Sequence, residues 1–243
     1  MNMKKILSNY MMDMGLVPGK EKVDRILSFL KLIYDENRNI NLVGTKDREQ
    51  IFIRHFLDCI SIYKYFYKHN IDKSDYLRII DVGSGAGLPG ILIALLNKNF
   101  DVTLLDSKKK YINFLVSIKS YLSLDNARIV EARAEDFSHS IYRESFDIVV
   151  SRAVSRMNYL CELMIPLCKI GGKIVMYKSK KAITELDESR KAISLLGADF
   201  DRIYEVDVPH LNEFRALVIL NKSYKTPYIY PRKYAKIKKM PLM

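Results

Sequence analysis

The sequence predicts an α/β protein, a mostly parallel sheet of seven strands with a helical extension ahead of it. Three observations carry this. Seven short β-branched runs follow one another from residue 77 onward, and helical apolar spacing separates the first six. The first of these runs opens into three glycines at alternate positions, a strand–turn–helix junction. Ahead of residue 73, apolar residues recur instead every three or four positions. The predicted boundaries are 1–72 for the helical extension and 73–243 for the α/β domain with its tail.

In the extension, Val23, Ile26, Leu27, Leu30 and Ile33 predict one buried helical face. Ile51, Phe52, His55, Phe56, Cys59 and Ile60 predict a second, starting near Asp47. Between them Asn37-Arg38-Asn39-Ile40-Asn41-Leu42 reads as a loop, and residues 69–75 read as the polar linker into the domain. The predicted strands are 77–82, 102–106, 127–131, 146–151, 173–178, 203–208 and 216–220. The clear helices between them are 89–97, 108–122, 157–168 and 182–196. No long helix separates the last two strands, so they are expected to close the sheet as an antiparallel hairpin.

Composition narrows the class. With 243 residues, 49% apolar and 28% charged, the chain suits one ordinary domain plus a smaller appendage, which excludes disorder and fibres. No apolar run approaches the ~18 residues of a membrane span, so no membrane partner is expected. After Met1-Asn2-Met3-Lys4-Lys5, Asn9, Tyr10 and Asp13 interrupt what a signal peptide would need. Cys59, Cys161 and Cys168 are odd in number and lack CxxC spacing, so neither a disulfide framework nor a metal set is expected. Reduced thiols fit a cytoplasmic protein, and nothing in the sequence calls for more than a monomer.

Forty basic residues against 28 acidic give a net charge of +12, which favours a polyanionic partner, because each neutralised phosphate releases a counterion. The excess concentrates in the tail from Asn221. There Lys222, Lys225, Arg232, Lys233, Lys236, Lys238 and Lys239 stand without an acid, interleaved with Tyr224, Tyr228, Tyr230 and Tyr234. Cations for phosphates and rings for stacking on bases suit a nucleic acid.

The most informative stretch is Asp81-Val82-Gly83-Ser84-Gly85-Ala86-Gly87-Leu88-Pro89-Gly90. Alternate glycines let the backbone turn sharply and let a ligand approach without meeting a Cβ. A dinucleotide fold places a glycine at the position held by Leu88. An Asp two residues ahead of Gly-x-Gly-x-Gly resembles instead motif I of the S-adenosylmethionine-dependent methyltransferases. Asp81 is then a carboxylate near that ligand's amino group. Asp106 stands 23 residues past Gly83 at the end of the next strand, where an acid accepts from both ribose hydroxyls. It marks an adenosine-like ligand without choosing between the two classes. Arg133-Ala134-Glu135-Asp136 follows the third strand, where a methyltransferase sets an acid or amide against the adenine; helix capping explains the same acids.

Absences narrow the acceptor. The fourth strand leads into Ser151-Arg152-Ala153-Val154, not the Asn/Asp-Pro-Pro-aromatic motif of exocyclic-amine methylation. Cys161 and Cys168 sit on an amphipathic helix and read as core, not as the nucleophile of carbon-5 chemistry. An acceptor that is already nucleophilic remains, and N7 of guanine fits, with catalysis by positioning and electrostatics.

The glycine stretch, Leu104-Leu105-Asp106-Ser107, Arg133-Ala134-Glu135, Ser151-Arg152-Ala153 and Tyr230-Pro231-Arg232-Lys233 occur here in order, preceded by Asn41-Leu42 and Arg54-His55-x-x-Asp58. Together they resemble the bacterial small-subunit ribosomal RNA guanine-N7 methyltransferases, also called glucose-inhibited division protein B, over about residues 39–242. The resemblance implies a class I S-adenosylmethionine-dependent methyltransferase fold (Rossmann-like) that methylates N7 of a guanine in the 530 loop of 16S ribosomal RNA. It implies cofactor contacts at Gly83, Leu88, Ala134, Glu135 and Arg152, a ribose acid at Asp106, and a pocket shaped by Asp81, Gly85 and Gly87. Arg152 is the catalytic candidate, holding the guanine or the methionine carboxylate. Arg54, His55, Lys178, Arg215, Arg232 and Lys233 are candidate contacts to RNA or the small ribosomal subunit. Cys59 departs from the family's usual Ser, Leu88 from Phe, Ser179 from Gly, and Ala235 and Ile237 from a Gly and a Pro. The alternatives are another S-adenosylmethionine-dependent RNA methyltransferase or a non-catalytic RNA-binding protein on this fold, with a dinucleotide oxidoreductase last.

Overall fold

A computed structural model describes residues 1–73, 76–152 and 155–242. Ser74 and Asp75 of the predicted linker, and Ala153 and Val154 after Arg152, lie outside the described residues.

The extension opens with α1 (Met3–Asp13) and α2 (Lys20–Ile40). Val23, Ile26, Leu30 and Ile33 are buried as their spacing requires, with Phe29 added to the same face. Most of the Asn-rich segment expected as a loop is helical instead, because α2 runs on through Ile40. Buried Asn37 is the reason. Its Nδ2 donates to the Thr45 carbonyl at 2.7 Å, and its Oδ1 accepts from the Val43 N–H at 2.8 Å. One side chain thus satisfies the turn from inside the last helical turn, and Asn41 ends the helix in the left-handed region at φ 47°. There follow α3 (Arg48–Ile51), a π-helical stretch Phe52–Leu57, α4 (Asp58–Ile60) and α5 (Ile62–Lys68).

The sheet holds β1 (Leu77–Val82), β2 (Phe100–Asp106), β3 (Ala127–Glu131), β4 (Phe146–Arg152), β5 (Cys168–Lys178), β6 (Ala198–Glu205) and β7 (Ala216–Lys222). Its order is β3-β2-β1-β4-β5-β7-β6. The first five strands are parallel, and β7 runs antiparallel to both β5 and β6. The order reverses between β1 and β4, which opens a crevice at their carboxyl ends. The connecting helices are α6 (Gly90–Leu96), α7 (Lys109–Tyr121), the short α8 (Ala134–Phe137), α9 (Met157–Met164) and α10 (Ala182–Leu195). A last short helix, α11 (Tyr234–Lys239), closes the tail.

Two apolar cores flank the sheet. One joins the extension's helices to α6, α7 and the adjacent strands; the other buries α9 and α10. The extension is tied to the α/β domain by polar bonds as well. Tyr63 Oη donates to the Ile93 carbonyl at 3.2 Å and Tyr10 Oη to the Asp207 carbonyl at 3.0 Å. All three cysteines are free and buried. Among the described residues no helix is long and apolar enough to cross a membrane.

Candidate active site

The glycine loop leaves β1 tied to its neighbour, with Gly83 N–H donating to the Leu105 carbonyl at 2.8 Å and Ser84 N–H to the same oxygen at 3.1 Å. Gly85 and Gly87 adopt φ of +52° and +84°, a region L side chains rarely enter. A Cβ on Gly87 would stand 2.6 Å from the Ile91 side chain, whereas one on Gly85 would meet nothing nearer than Gly83 O at 4.0 Å. Gly87 therefore serves packing, and Gly85 borders open space.

That space is a cavity of about 540 Å³ at the carboxyl edge of the sheet. Among its walls are seven of the predicted site residues: Gly83, Gly85, Leu88, Asp106, Ala134, Glu135 and Arg152. His55, predicted as an RNA contact, also lines it. Asp81 and Gly87 are both buried and are not among the lining residues. Asp81 is fully buried, and its Oδ2 accepts the Gly90 N–H at 2.9 Å, which fixes the start of α6. Burial pushes its carboxyl up to about 7, against the opposing Gly90 hydrogen bond. Its expected reach toward a ligand's amino group is thus replaced by an anchoring contact.

Asp106 ends β2 with Oδ2 accepting the Gly85 N–H at 2.9 Å and Oδ1 accepting the Lys108 N–H at 2.9 Å. The carboxylate is held in place by backbone, and each oxygen keeps a lone pair for a ribose hydroxyl. Glu135 Oε1 accepts from the Tyr234 N–H at 3.3 Å, which brings the tail to the cavity. Arg152, at the tip of β4, donates from Nε to Asp58 Oδ2 at 3.0 Å and from Nη2 to the Arg54 carbonyl at 2.6 Å. The same Nη2 lies 2.9 Å from His55 Nδ1. A guanidinium only donates, so Nδ1 is the acceptor and the proton of a neutral imidazole sits on Nε2. Burial first, and then the Arg152, Arg54 and Arg215 charges, push the His55 pKa down to about 3.

A second cavity of about 370 Å³ shares Arg152 with the first and is lined also by Asp58, Tyr177, Lys178, Glu185 and Arg215. Lys178 and Arg215 thus line a pocket and are not on an open face. Lys178 pairs with Glu185 at 2.7 Å, and Arg215 with Glu213 at 2.9 Å. Arg54 is the more exposed candidate and pairs with Glu213 at 2.7 Å. Lys233 is exposed beside Asp136. Arg232 is turned inward, its Nε and Nη2 on the two oxygens of fully buried Glu162 at 2.8 and 2.7 Å, so the structure gives this RNA candidate an internal partner. Tyr111 in the first cavity and Glu185 in the second are lining residues that no motif of the sequence marks, and Tyr234, expected as a tail aromatic for nucleic acid, lines the first cavity instead. Tyr234 carried a signal, as the last tyrosine of the basic tail.

The residues fit an adenosyl donor. A backbone-held acid at the second strand tip, a glycine edge opening on free volume and a buried carboxylate at the third strand tip are what ribose, a close-packed chain and an adenine amino group need. Among solved structures, that of a mutant 16S rRNA (adenine(1408)-N(1))-methyltransferase from Catenulisporales acidiphilia matches with TM-score 0.51 at 10% identity, covering 65% of this chain and 91% of that one. The structure of P. horikoshii TYW2 in complex with MeSAdo matches with TM-score 0.50 at 16% identity, covering 62% of this chain and 59% of that one. These likenesses concern the fold, a class I S-adenosylmethionine-dependent methyltransferase. The family model described as rRNA small subunit methyltransferase G matches residues 22–212, and the chain belongs to that family. It is 38% identical over 98% of both chains to ribosomal RNA small subunit methyltransferase G of Clostridium tetani. It is 36% identical, again over 98% of both, to the protein of that name from Clostridium botulinum strain ATCC 19397. The cofactor is S-adenosylmethionine and the activity is methylation of small-subunit ribosomal RNA.

Proposed function

We propose that the chain methylates N7 of a guanine in the 530 loop of 16S ribosomal RNA, acting as a monomer in the cytoplasm on the RNA or the small ribosomal subunit. The observation that carries the reading is the first cavity, where Asp106, Glu135 and Arg152 face one space at the strand tips. Asp106 takes the ribose hydroxyls, Glu135 the adenine amino group, and Gly83, Gly85, Leu88 and Ala134 the surfaces between. When bound, the cofactor supplies a sulfonium methyl carbon, to which the N7 lone pair bonds while the carbon–sulfur pair stays on sulfur.

No proton leaves guanine N7 before attack, so the chain needs no general base there. The side chains agree. His55 is held neutral with Nδ1 occupied by Arg152, which leaves it a hydrogen-bond donor. Burial pushes the Cys161 and Cys168 thiols up to about 12 and Cys59 higher still, which weighs against a thiolate nucleophile. Asp58, His55 and the Arg54 carbonyl fix the Arg152 guanidinium, which then acts by position and charge. The test is a map of N7-methylguanosine on 16S rRNA from cells with and without the protein. The modification is expected to vanish without it and return with it; a modification indifferent to the protein contradicts the reading.

A further inference from the structure

We propose that Lys178 and Glu185 select the acceptor base, with Lys178 donating to guanine O6 and Glu185 accepting from N1–H. The inference rests on the guanine-N7 reading above and adds what distinguishes guanine from adenine. The second cavity shares Arg152 with the first, so a base seated in it lies next to the cofactor's space. Lys178 ends β5, and Glu185 lies in the first turn of α10.

Lys178 Nζ donates to the Ser155 carbonyl at 3.1 Å and to Glu185 Oε2 at 2.7 Å. An ammonium has three N–H groups, and the third has no partner among the described residues. Glu185 Oε2 also accepts the Met157 N–H at 2.9 Å, while Oε1 accepts no hydrogen bond among the described residues. A donor and an acceptor therefore stand side by side on the wall of one pocket, each already oriented by a second bond. Guanine presents an acceptor, O6, beside a donor, N1–H. Adenine presents an amino donor beside an acceptor nitrogen, the reverse order. The pair matches the first and opposes the second. O6 and N1–H lie on guanine's Watson–Crick edge, so a grip on that edge leaves the N7 lone pair free to meet the methyl donor. The carboxylate also sits beside a base that becomes cationic on methylation.

The competing explanation is an ion pair that only pins α10 to the tip of β5. Small subunits reconstituted with guanosine, inosine or 2-aminopurine at the target position separate the two. Inosine keeps O6, N1–H and N7, whereas 2-aminopurine lacks O6 and N1–H. The wild-type protein is expected to methylate guanosine and inosine and to act on 2-aminopurine roughly 100-fold more slowly or less. Glu185→Gln and Lys178→Met are expected to lose about 10- to 100-fold in kcat/KM on guanosine and to narrow the gap to 2-aminopurine. Their S-adenosylmethionine affinity by calorimetry is expected to stay put. Equal action of the wild type on guanosine and 2-aminopurine overturns the inference, as does full activity of both variants. That wild-type comparison decides even where a variant misfolds. A wild type that leaves guanosine unmethylated removes the guanine-N7 reading itself, and the guanosine arm alone reveals it.

Discussion

Asp81 carries a charge problem that its neighbours only half solve. One oxygen holds the Gly90 N–H; the other, Oδ1, is buried without a partner among the described residues. An ordinary aspartate titrates near 4, so between about pH 4 and 7 the folded chain keeps a proton that the unfolded chain releases. The unfolded state binds fewer protons there, and stability falls as pH rises through 7. Asp81→Asn keeps an acceptor for Gly90 and removes the titration. Urea unfolding across pH 5–9 is expected to show wild type losing stability relative to the variant, on the order of a few kcal/mol by the alkaline end. Parallel curves for the two proteins refute this account of the carboxyl.

At the scale of elements, the parts set by local patterning were readable. The helix predicted at 108–122 is Lys109–Tyr121, and that predicted at 182–196 is Ala182–Leu195. The glycine loop was readable because positive φ demands glycine in the sequence. The helix predicted at 157–168 stops at Met164 because the chain tightens into a turn at Ile165–Leu167, where Pro166 lacks a donor, and Cys168 then joins β5 by pairing with Phe146. That partner lies far away in sequence, so periodicity could not announce it. The strand predicted at 203–208 is Ala198–Glu205, displaced because an edge strand alternates weakly and Val206 and Val208 are buried beyond its end. The place of Asp106 and Glu135 on the cavity wall was readable from strand ends, whereas the Arg232–Glu162 pair joins residues 70 positions apart. That pair anchors the tail, since Glu162 also accepts the Arg232 N–H at 2.7 Å. Glu162→Ala leaves a guanidinium without its partner and is expected to cost about 3 kcal/mol in urea unfolding. It is also expected to open residues 230–239 to limited proteolysis. Unchanged stability and cleavage would mean that this contact does not dock the tail.

Across the whole molecule the +12 charge divides into two populations. Arg152, Lys178, Lys222 and Arg232 are drawn into ion pairs with Asp58, Glu185, Glu144 and Glu162. Lys236, Lys238 and Lys239 stand exposed on α11, with no acid pairing with them among the described residues. This helix begins at Tyr234, whose side of the tail lines the cofactor cavity. Its lysines therefore lie near the cavity, where a bound RNA must come within reach of the methyl donor. Binding carried by counterion release weakens with salt in proportion to the phosphates neutralised, about 0.7 in the log–log slope per contact on single strands and 0.9 on duplex. Reversing the charge of these three lysines to Glu removes up to three such contacts. It is expected to lower affinity for 16S rRNA, to flatten the slope by roughly 2, and to leave S-adenosylmethionine binding unchanged. Filter binding across a potassium chloride series, paired with calorimetry of the cofactor, reads both quantities. A slope that matches wild type would move the phosphate contacts off α11 and onto another face of the molecule.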